Sequence, residues 1–268
     1  MQKILILGAG KMGFWLARDL KKEGHKVALL DKRNVGNSYG EKFQILSSID
    51  QVKGLNPQMV INAVSLNAVR DAFQEIVPFL NNEVLLADVA SVKNSVKKFY
   101  NESDHPFVSV HPMFGPTFGN LKHLHGQQSF IIDESDEEGK QFFAEFFIRR
   151  NIQIHYCTFE QHDETMASSL GLPYISAVLF TAGMHKQTVP GTSFRKQLEL
   201  TEGILSEDPA LLSEVLLNIH TRNQVSFLKN YLARLEEILN EEDEKPLDQL
   251  FNFLKNKISS EKIKAKYT

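Results

Sequence analysis

Cysteine is nearly missing from this chain, which has only Cys157 among its 268 residues. A single thiol cannot form an intrachain disulfide, and it cannot supply the clustered thiolates of a structural zinc site. We therefore predict neither a disulfide framework nor a bound metal.

Long apolar runs and an excess of one charge are also missing. The longest apolar run, residues 175–184, is shorter than the roughly 20 residues that a helix needs to cross a bilayer. The formal net charge of −3 gives no reason to expect a nucleic-acid partner. The first strand pattern begins at residue 3, which leaves no room for a signal peptide. These absences predict a cytoplasmic protein that binds neither membranes nor nucleic acids.

A glycine-rich turn follows the first strand pattern, residues 3–7. Its three glycines have the spacing G-x-G-x-x-G, and a helical pattern begins at once. The first glycine permits a sharp turn, the second lets a pyrophosphate approach the backbone, and the third lets helix and strand pack closely. The N–H groups at the start of the helix then bind the pyrophosphate. The cofactor-binding residues predicted here are Gly8, Gly10, Lys11, Met12 and Gly13.

An acid ends the second strand pattern, residues 26–30, at Asp31. A carboxylate at this position accepts hydrogen bonds from the adenosine ribose and repels a 2′-phosphate. Lys32 and Arg33 follow directly, and they would accommodate that phosphate if Asp31 turned away. The position of the acid favours NAD over NADP as the cofactor.

Strand and helix patterns alternate through the first part of the chain. Further apolar strand patterns cover residues 59–64, 84–88, 107–110, 129–132 and 152–156. Such alternation predicts an α/β fold with a Rossmann-like, doubly wound and mainly parallel sheet.

Only helical patterns follow after about residue 160. We predict helices over residues 162–185, with a kink at Gly171 and Pro173, and over 193–205, 209–240 and from 246 onward. The predicted organisation is therefore an NAD-binding domain over residues 1–159 and an all-helical substrate and dimerisation domain over residues 160–268.

Polar side chains stand at the ends of two predicted strands. Ser91 follows the strand over 84–88, and His111 follows the strand over 107–110. Ligands of an open parallel sheet bind beyond the carboxyl ends of its strands, so both side chains should face the nicotinamide. Histidine exchanges protons near neutral pH. We therefore predict a catalytic role for His111, and cofactor contacts from two further strand-end residues, Val64 and Ala90.

Several segments resemble one known family. His-Pro-Met-Phe-Gly-Pro at 111–116, Asp-Val-Ala-Ser-Val-Lys at 88–93 and the glycine turn are similar to prephenate dehydrogenase, the TyrA family of tyrosine biosynthesis. His162-Asp163 and residues 206–209 resemble the second domain of that family, so the resemblance spans essentially the whole chain. It is closest to the short, single-function forms of Bacteroides-like bacteria.

The resemblance implies NAD-dependent oxidative decarboxylation of prephenate to 4-hydroxyphenylpyruvate. In the implied mechanism, His111 accepts the proton of the ring hydroxyl and Ser91 hydrogen-bonds near the same hydroxyl. Aromatisation then drives loss of the carboxylate, so the reaction needs no metal. The helical domain is implied to form a homodimer.

The residues expected to bind the substrate carboxylate depart from the family pattern. Relatives carry an arginine five residues before the Asp of the Asp-Pro pair, and Gly203 stands there in this chain. Arg195 lies about two helical turns earlier and is our candidate substitute, although it would serve equally as the partner of a surface acid. Tyr174 stands where relatives carry a histidine. The predicted substrate-binding residues are Thr117, Tyr174, Arg195 and Lys196, with Arg222 and Lys122 as further candidates.

Three other functions stay open at this point. Arogenate dehydrogenase performs the same reaction on the amino-acid analogue and would need an acidic or neutral partner for the substrate ammonium. A β-hydroxyacid dehydrogenase would need a lysine base, and residues 164–183 contain no good candidate. A catalytically silent NAD-binding sensor is favoured by Gly203 and disfavoured by the presence of Ser91 and His111.

Overall fold

An eight-stranded sheet organises the computed structural model, which describes residues 1–33, 43–114, 124–185, 189–241 and 244–267. Its strands are β1 Lys3–Leu7, β2 Lys26–Leu30, β3 Gln44–Leu46, β4 Met59–Asn62, β5 Leu85–Asp88, β6 Phe107–Pro112, β7 Gln128–Ile132 and β8 Gln153–Cys157. The order across the sheet is β3-β2-β1-β4-β5-β6-β7-β8. Strands β1 to β6 are parallel, β7 is antiparallel to β6, and β8 is parallel to β7. The predicted doubly wound, mainly parallel sheet is confirmed, and the short β3 was not predicted.

Helices cover both faces of this sheet. They are α1 Lys11–Lys22, α2 Val52–Leu55, α3 Val69–Ile76, α4 Asn94–Glu102 and α5 Glu137–Ile148. Alternate residues of β1 enter different cores, because successive side chains of a strand point to opposite faces. Ile4 and Ile6 pack with Trp15 and the phenylalanines of α5, whereas Leu5 and Leu7 pack with α3 and α4. This two-sided burial explains the unbroken apolar sequence of β1.

Only helices follow β8 among the described residues. They are α6 Phe159–Met166, α7 Leu172–Gly183, α8 Thr192–Leu205, α9 Pro209–Leu217, α10 Ile219–Asn240 and α11 Glu244–Tyr267. A π-helical segment, Ala167–Gly171, joins α6 to α7. It lies beside Pro173, which has no N–H to donate. Where a kink was predicted, the helix therefore has a single turn of π-helix.

The prediction of one continuous helix over residues 209–240 is wrong. It is broken between α9 and α10 at Asn218, whose side-chain amide donates to the carbonyl oxygen of Asp163 at 3.0 Å. The side-chain oxygen of Asn218 also accepts the N–H of His220 at 2.9 Å. Asn218 therefore caps a new helix, and its partner on α6 is too distant in sequence for a local pattern to reveal.

Two compact units divide the described chain, Met1–Thr221 and Arg222–Thr268. The first contains the sheet and the helices through α9, and the second contains most of α10 and all of α11. The domain boundary predicted between residues 159 and 160 stays a prediction.

The helical stretch Phe159–Gly183 is long and apolar enough to cross a membrane by length and composition alone. The prediction from the sequence considered only the shorter run at 175–184. A helix of a soluble protein passes the same test, and this one carries the fully buried His162 and the buried Tyr174. We interpret it as part of the folded first unit.

Candidate active site

The glycine turn has the geometry of a phosphate cradle. Gly8 has a positive φ of 94°, and a Cβ there would lie 2.7 Å from the carbonyl oxygen of Ala63 at the end of β4. A Cβ on Gly13 would strike the carbonyl oxygen of Gly8, whereas one on Gly10 would meet nothing within 4 Å. The backbone at Gly10 is thus exposed to open space beside β1 and β4, where the strand order reverses and ligands of such sheets bind. These residues fit a dinucleotide.

Asp31 is tied both to this turn and to Arg33. Its Oδ2 accepts the N–H of Ala9 at 2.8 Å. The guanidinium of Arg33 donates to the two carboxylate oxygens at 3.0 and 2.9 Å. Hydrogen bonding from Arg33 lowers the pKa of Asp31 to about 2, so the carboxylate is ionised throughout the neutral range. Lys32 instead pairs with Glu75 at 2.7 Å.

A cavity of about 430 Å³ opens at the carboxyl ends of the strands, within the unit Met1–Thr221. It brings together six residues predicted from the sequence: Met12, Val64, Ala90, Ser91, His111 and Tyr174. The other polar residues in its described lining are Gln127 and Glu207, and apolar side chains such as Leu66, Met113, Leu170 and Leu211 complete it. The cavity is therefore the candidate active site.

His111 lies at the end of β6 and is only 5% exposed. Its Nδ1 is 3.0 Å from Nε2 of His162, and Nδ1 of His162 is 3.1 Å from a carboxylate oxygen of Asp163. A carboxylate can only accept, so His162 must donate from Nδ1 and, when neutral, accept at Nε2. His111 then donates from Nδ1. Its Nε2 is left with a lone pair, as a general base requires.

Both histidines are held in their neutral forms. Burial, followed by the nearby His162 and Lys93, lowers the pKa of His111 well below the usual value. Burial also lowers the pKa of His162, although the hydrogen bond to Asp163 opposes that shift. Desolvation disfavours a charged imidazole, so His111 can accept a proton over the whole neutral range.

A fully buried ion pair supports the loop that carries Ser91. Nζ of Lys93 donates to Asp88 at 2.6 Å and to the carbonyl oxygen of Val110 at 2.8 Å. The carboxylate of Asp88 also accepts the hydroxyl of Tyr100 at 3.0 Å and the N–H of Ala90 at 3.0 Å. These contacts join the end of β5 to the end of β6, and so fix the loop of Ser91 relative to the strand of His111.

Some predicted substrate residues do not lie at the cavity. Tyr174 does, and burial, followed by the charge of Glu207, raises its pKa to about 12. The phenol therefore stays a hydrogen-bond donor. Arg195 and Lys196 are exposed on α8, outside the described lining, and Arg222 belongs to the second unit. Thr117 and Lys122 lie outside the described residues.

Three residues of the site had no function predicted from the sequence: Gln127, His162 and Glu207. His162 was noted only for its family resemblance, and Glu207 only as part of residues 206–209. The signal for His162 was its pairing with Asp163 directly ahead of an apolar helix. For Glu207 the sequence offers no comparable signal, because its place at the cavity depends on the turn between α8 and α9.

A second group of titratable side chains lies outside the cavity lining. Carboxylate oxygens of Glu160 and Glu164 and a ring nitrogen of His220 lie within 4.8 Å of one another, close enough to hold a metal ion. His220 already pairs with Glu160 at 3.0 Å, and both glutamates are exposed. We interpret the group as a surface contact between α6 and the start of α10.

The glycine cradle, the acid after β2 and the neutral histidine at a strand end have the arrangement that a dinucleotide-dependent oxidoreductase requires. The model of the nucleotide-binding domain of prephenate dehydrogenase matches residues 16–147. This match covers just under half of the 268 residues and indicates the prephenate dehydrogenase family, as the resemblance predicted.

Individual relatives are similar across most of this chain. The T-protein of Enterobacter agglomerans is 23% identical over 245 residues, which cover 88% of this chain and 61% of that protein. This chain thus spans about three fifths of the length of that curated relative.

Solved structures share the fold at low sequence identity. Prephenate dehydrogenase from A. aeolicus, in complex with hydroxyphenyl propionate and NAD+, superposes with a TM-score of 0.81 at 20% identity, covering 97% of this chain and 98% of that one. Arogenate dehydrogenase from Synechocystis superposes with a TM-score of 0.75 at 18% identity, covering 99% of this chain and 100% of that one.

Proposed function

We propose that this chain catalyses the NAD-dependent oxidative decarboxylation of prephenate or of its amino analogue arogenate, with His111 as the general base. The two substrates share a cyclohexadiene ring that carries one hydroxyl and one carboxylate. The observation that carries the proposal is the neutral His111 at the cavity, oriented by His162 and Asp163. The sequence resemblance implied prephenate, and this choice of substrate stays a prediction.

The residues of the cavity suit each change in the substrate. NAD, when bound beside the glycine cradle, supplies the hydride acceptor. As the ring C–O bond becomes a carbonyl, Nε2 of His111 takes the hydroxyl proton and Ser91 hydrogen-bonds near the same oxygen. The bond to the ring carboxylate then breaks, carbon dioxide leaves, and its electron pair completes the aromatic ring. Asp163 accepts the Nδ1 proton of His162, so it fixes the tautomer of His162 and the orientation of His111 while the proton moves.

His162 is assigned as a positioning residue for His111. We expect His162→Ala to lower kcat by about 10- to 100-fold and to retain NAD affinity. This loss does not exceed the loss expected when the base His111 itself is replaced. Because His162 is one cause of the low pKa of His111, the acidic limb of the pH–rate profile should move to higher pH. An unmoved limb with normal kcat would contradict this role. His155→Asn, on β8 and outside the cavity lining, is the matched control.

The cofactor assignment rests on Asp31. Asp31→Ala should weaken NAD binding by about 10- to 100-fold, the worth of a hydrogen bond to a charged group. NADP binding should strengthen, since the substitution removes the charge that repels a 2′-phosphate and releases Arg33 to meet it. Calorimetric titration with each dinucleotide measures both effects, and Asp71→Ala, an exposed acid on α3, is the control. Unchanged preference would remove Asp31 from the cofactor site.

We also propose a homodimer formed through the C-terminal helices. Large apolar side chains on them are exposed: on α7 to α9 they include Leu172, Val178, Leu179, Leu200 and Leu217, and in the second unit Val225, Phe227, Leu232, Leu239, Phe251, Leu254 and Ile258. Apolar surface of this extent favours coverage by another protein surface. We also propose a cytoplasmic location, because the apolar stretch of α6 and α7 is interpreted as part of the folded first unit.

The direct test of the proposed reaction is NADH formation by purified protein with NAD and either substrate. Turnover of at least one is expected. A protein that binds NADH and oxidises neither would instead favour the silent sensor.

A further inference from the structure

The cavity has an unusual balance of charge for a site that accepts a dicarboxylate. Among the lining residues that the structure describes, Glu207 is the single carboxylate, and none is lysine or arginine. Prephenate carries two carboxylates and a keto group on its side chain. Arogenate carries the same two carboxylates, with an ammonium in place of the keto group. The two substrates therefore differ by one positive charge at one carbon.

Glu207 is held at the cavity by the turn that joins α8 to α9. Its N–H donates to the carbonyl oxygen of Ile204 at 3.2 Å, and the neighbouring hydroxyl of Ser206 donates to the carbonyl oxygen of Gly203 at 2.7 Å. Pro209 then begins α9. These two hydrogen bonds end α8 at a defined point, so the carboxylate of Glu207 is presented from a fixed turn.

The surroundings of Glu207 disfavour a bare negative charge. Leu170, Leu211 and the buried Tyr174 line the same cavity. Burial, followed by the charge of Asp208, raises the pKa of Glu207 above its usual value. A carboxylate that is poorly solvated in this way gains most from a cation placed beside it. A ligand with only negative charge would add repulsion.

Hydrogen-bonding chemistry separates the two substrates further. An ionised carboxylate only accepts hydrogen bonds, and a keto oxygen also only accepts, so neither can satisfy the other. An ammonium offers donors and a full charge, and such charge-assisted bonds are the stronger kind. Resting on the proposed function, we propose that Glu207 binds the side-chain ammonium of arogenate and makes this chain selective for arogenate over prephenate.

Steady-state kinetics of three proteins with both substrates test this assignment. For the wild type we expect kcat/KM to favour arogenate by about 10- to 100-fold, the worth of one hydrogen bond to a charged group. Glu207→Gln should lose most of that preference, because its amide can donate to a keto oxygen. Glu202→Gln, an exposed acid on the last turn of α8, should keep it. NADH binding by each variant shows that the fold is intact.

The pH dependence adds a measurement that a merely structural role would not change. Wild-type selectivity for arogenate should fall as pH drops through the raised pKa of Glu207, and the selectivity of Glu207→Gln should stay flat there. A wild type that prefers prephenate, or an equal preference in wild type and Glu207→Gln, would overturn the assignment of Glu207. Failure to oxidise either substrate, with NADH still bound, would instead overturn the proposed function.

Discussion

Replacing His111 with asparagine is expected to abolish most turnover while leaving NAD binding intact. Loss of a positioned acid–base group typically lowers the rate by about 10²–10⁴-fold. Asparagine retains a donor near the Nδ1 position, so it can still contact His162, but it has no nitrogen that takes up a proton. The measurement is kcat under saturating NAD and substrate, together with calorimetric NADH binding.

The matched control for this change is His25→Asn. His25 lies outside the described lining of the cavity and packs beside Phe142, so its replacement should leave kcat unchanged. The pH–rate profile of the wild type gives a second check. Because the pKa of His111 is lowered, the rate should fall only at a pH below the ordinary histidine range. A normal rate in His111→Asn would mean that another group accepts the proton.

Replacing Lys93 with methionine is expected to destabilise the fold more than any other change considered. Lys93 and Asp88 are both fully buried, with Nζ and a carboxylate oxygen 2.6 Å apart. Removing one member of such a pair leaves a buried charge uncompensated, at a typical cost of about 3–5 kcal/mol. The free energy of unfolding from urea titration measures this loss, provided that unfolding is two-state.

An exposed ion pair supplies the comparison for Lys93. Lys32 and Glu75 are 2.7 Å apart, but the lysine side chain is 82% exposed, and pairs of this kind contribute little. Lys32→Met should therefore leave the unfolding free energy nearly unchanged. In Lys93→Met protein that remains folded, the pKa of His111 should rise, since the charge of Lys93 helps to lower it. Equal stability of the two variants would show that the buried pair is not a structural support.

The parts of the site that the sequence predicted depend on local chemistry. The glycine turn follows a strand and begins a helix, and two local features call for glycine: Gly8 has a positive φ, and Gly13 lies against the carbonyl oxygen of Gly8. Asp31 follows the next strand by the same logic. Ser91 and His111 are far apart in sequence, but both end parallel strands, and the carboxyl ends of such strands meet at one edge. A strand pattern is therefore enough to bring them together.

The remaining parts depend on tertiary contacts that no local pattern contains. His162 meets His111 across 51 residues of sequence, because α6 packs against the strands with the ring of Phe130 beside His162. The break at Asn218 depends on a hydrogen bond to α6. Glu207 reaches the cavity only because α8 ends where it does. The expected cations at Arg195 and Lys196 were placed by counting helical turns from Gly203, and counting does not fix which face of α8 meets the cavity.

The most direct test of the proposed reaction is the ratio of carbon dioxide released to NADH formed, with substrate labelled in the ring carboxylate. Oxidation of the ring hydroxyl and loss of the ring carboxylate together make the ring aromatic. We therefore predict one carbon dioxide per NADH with whichever substrate is accepted. Release should also depend on NAD, and in His111→Asn it should fall by the same factor as NADH formation. NADH formed without labelled carbon dioxide, or labelled carbon dioxide released without NAD, would contradict an oxidative decarboxylation at this site.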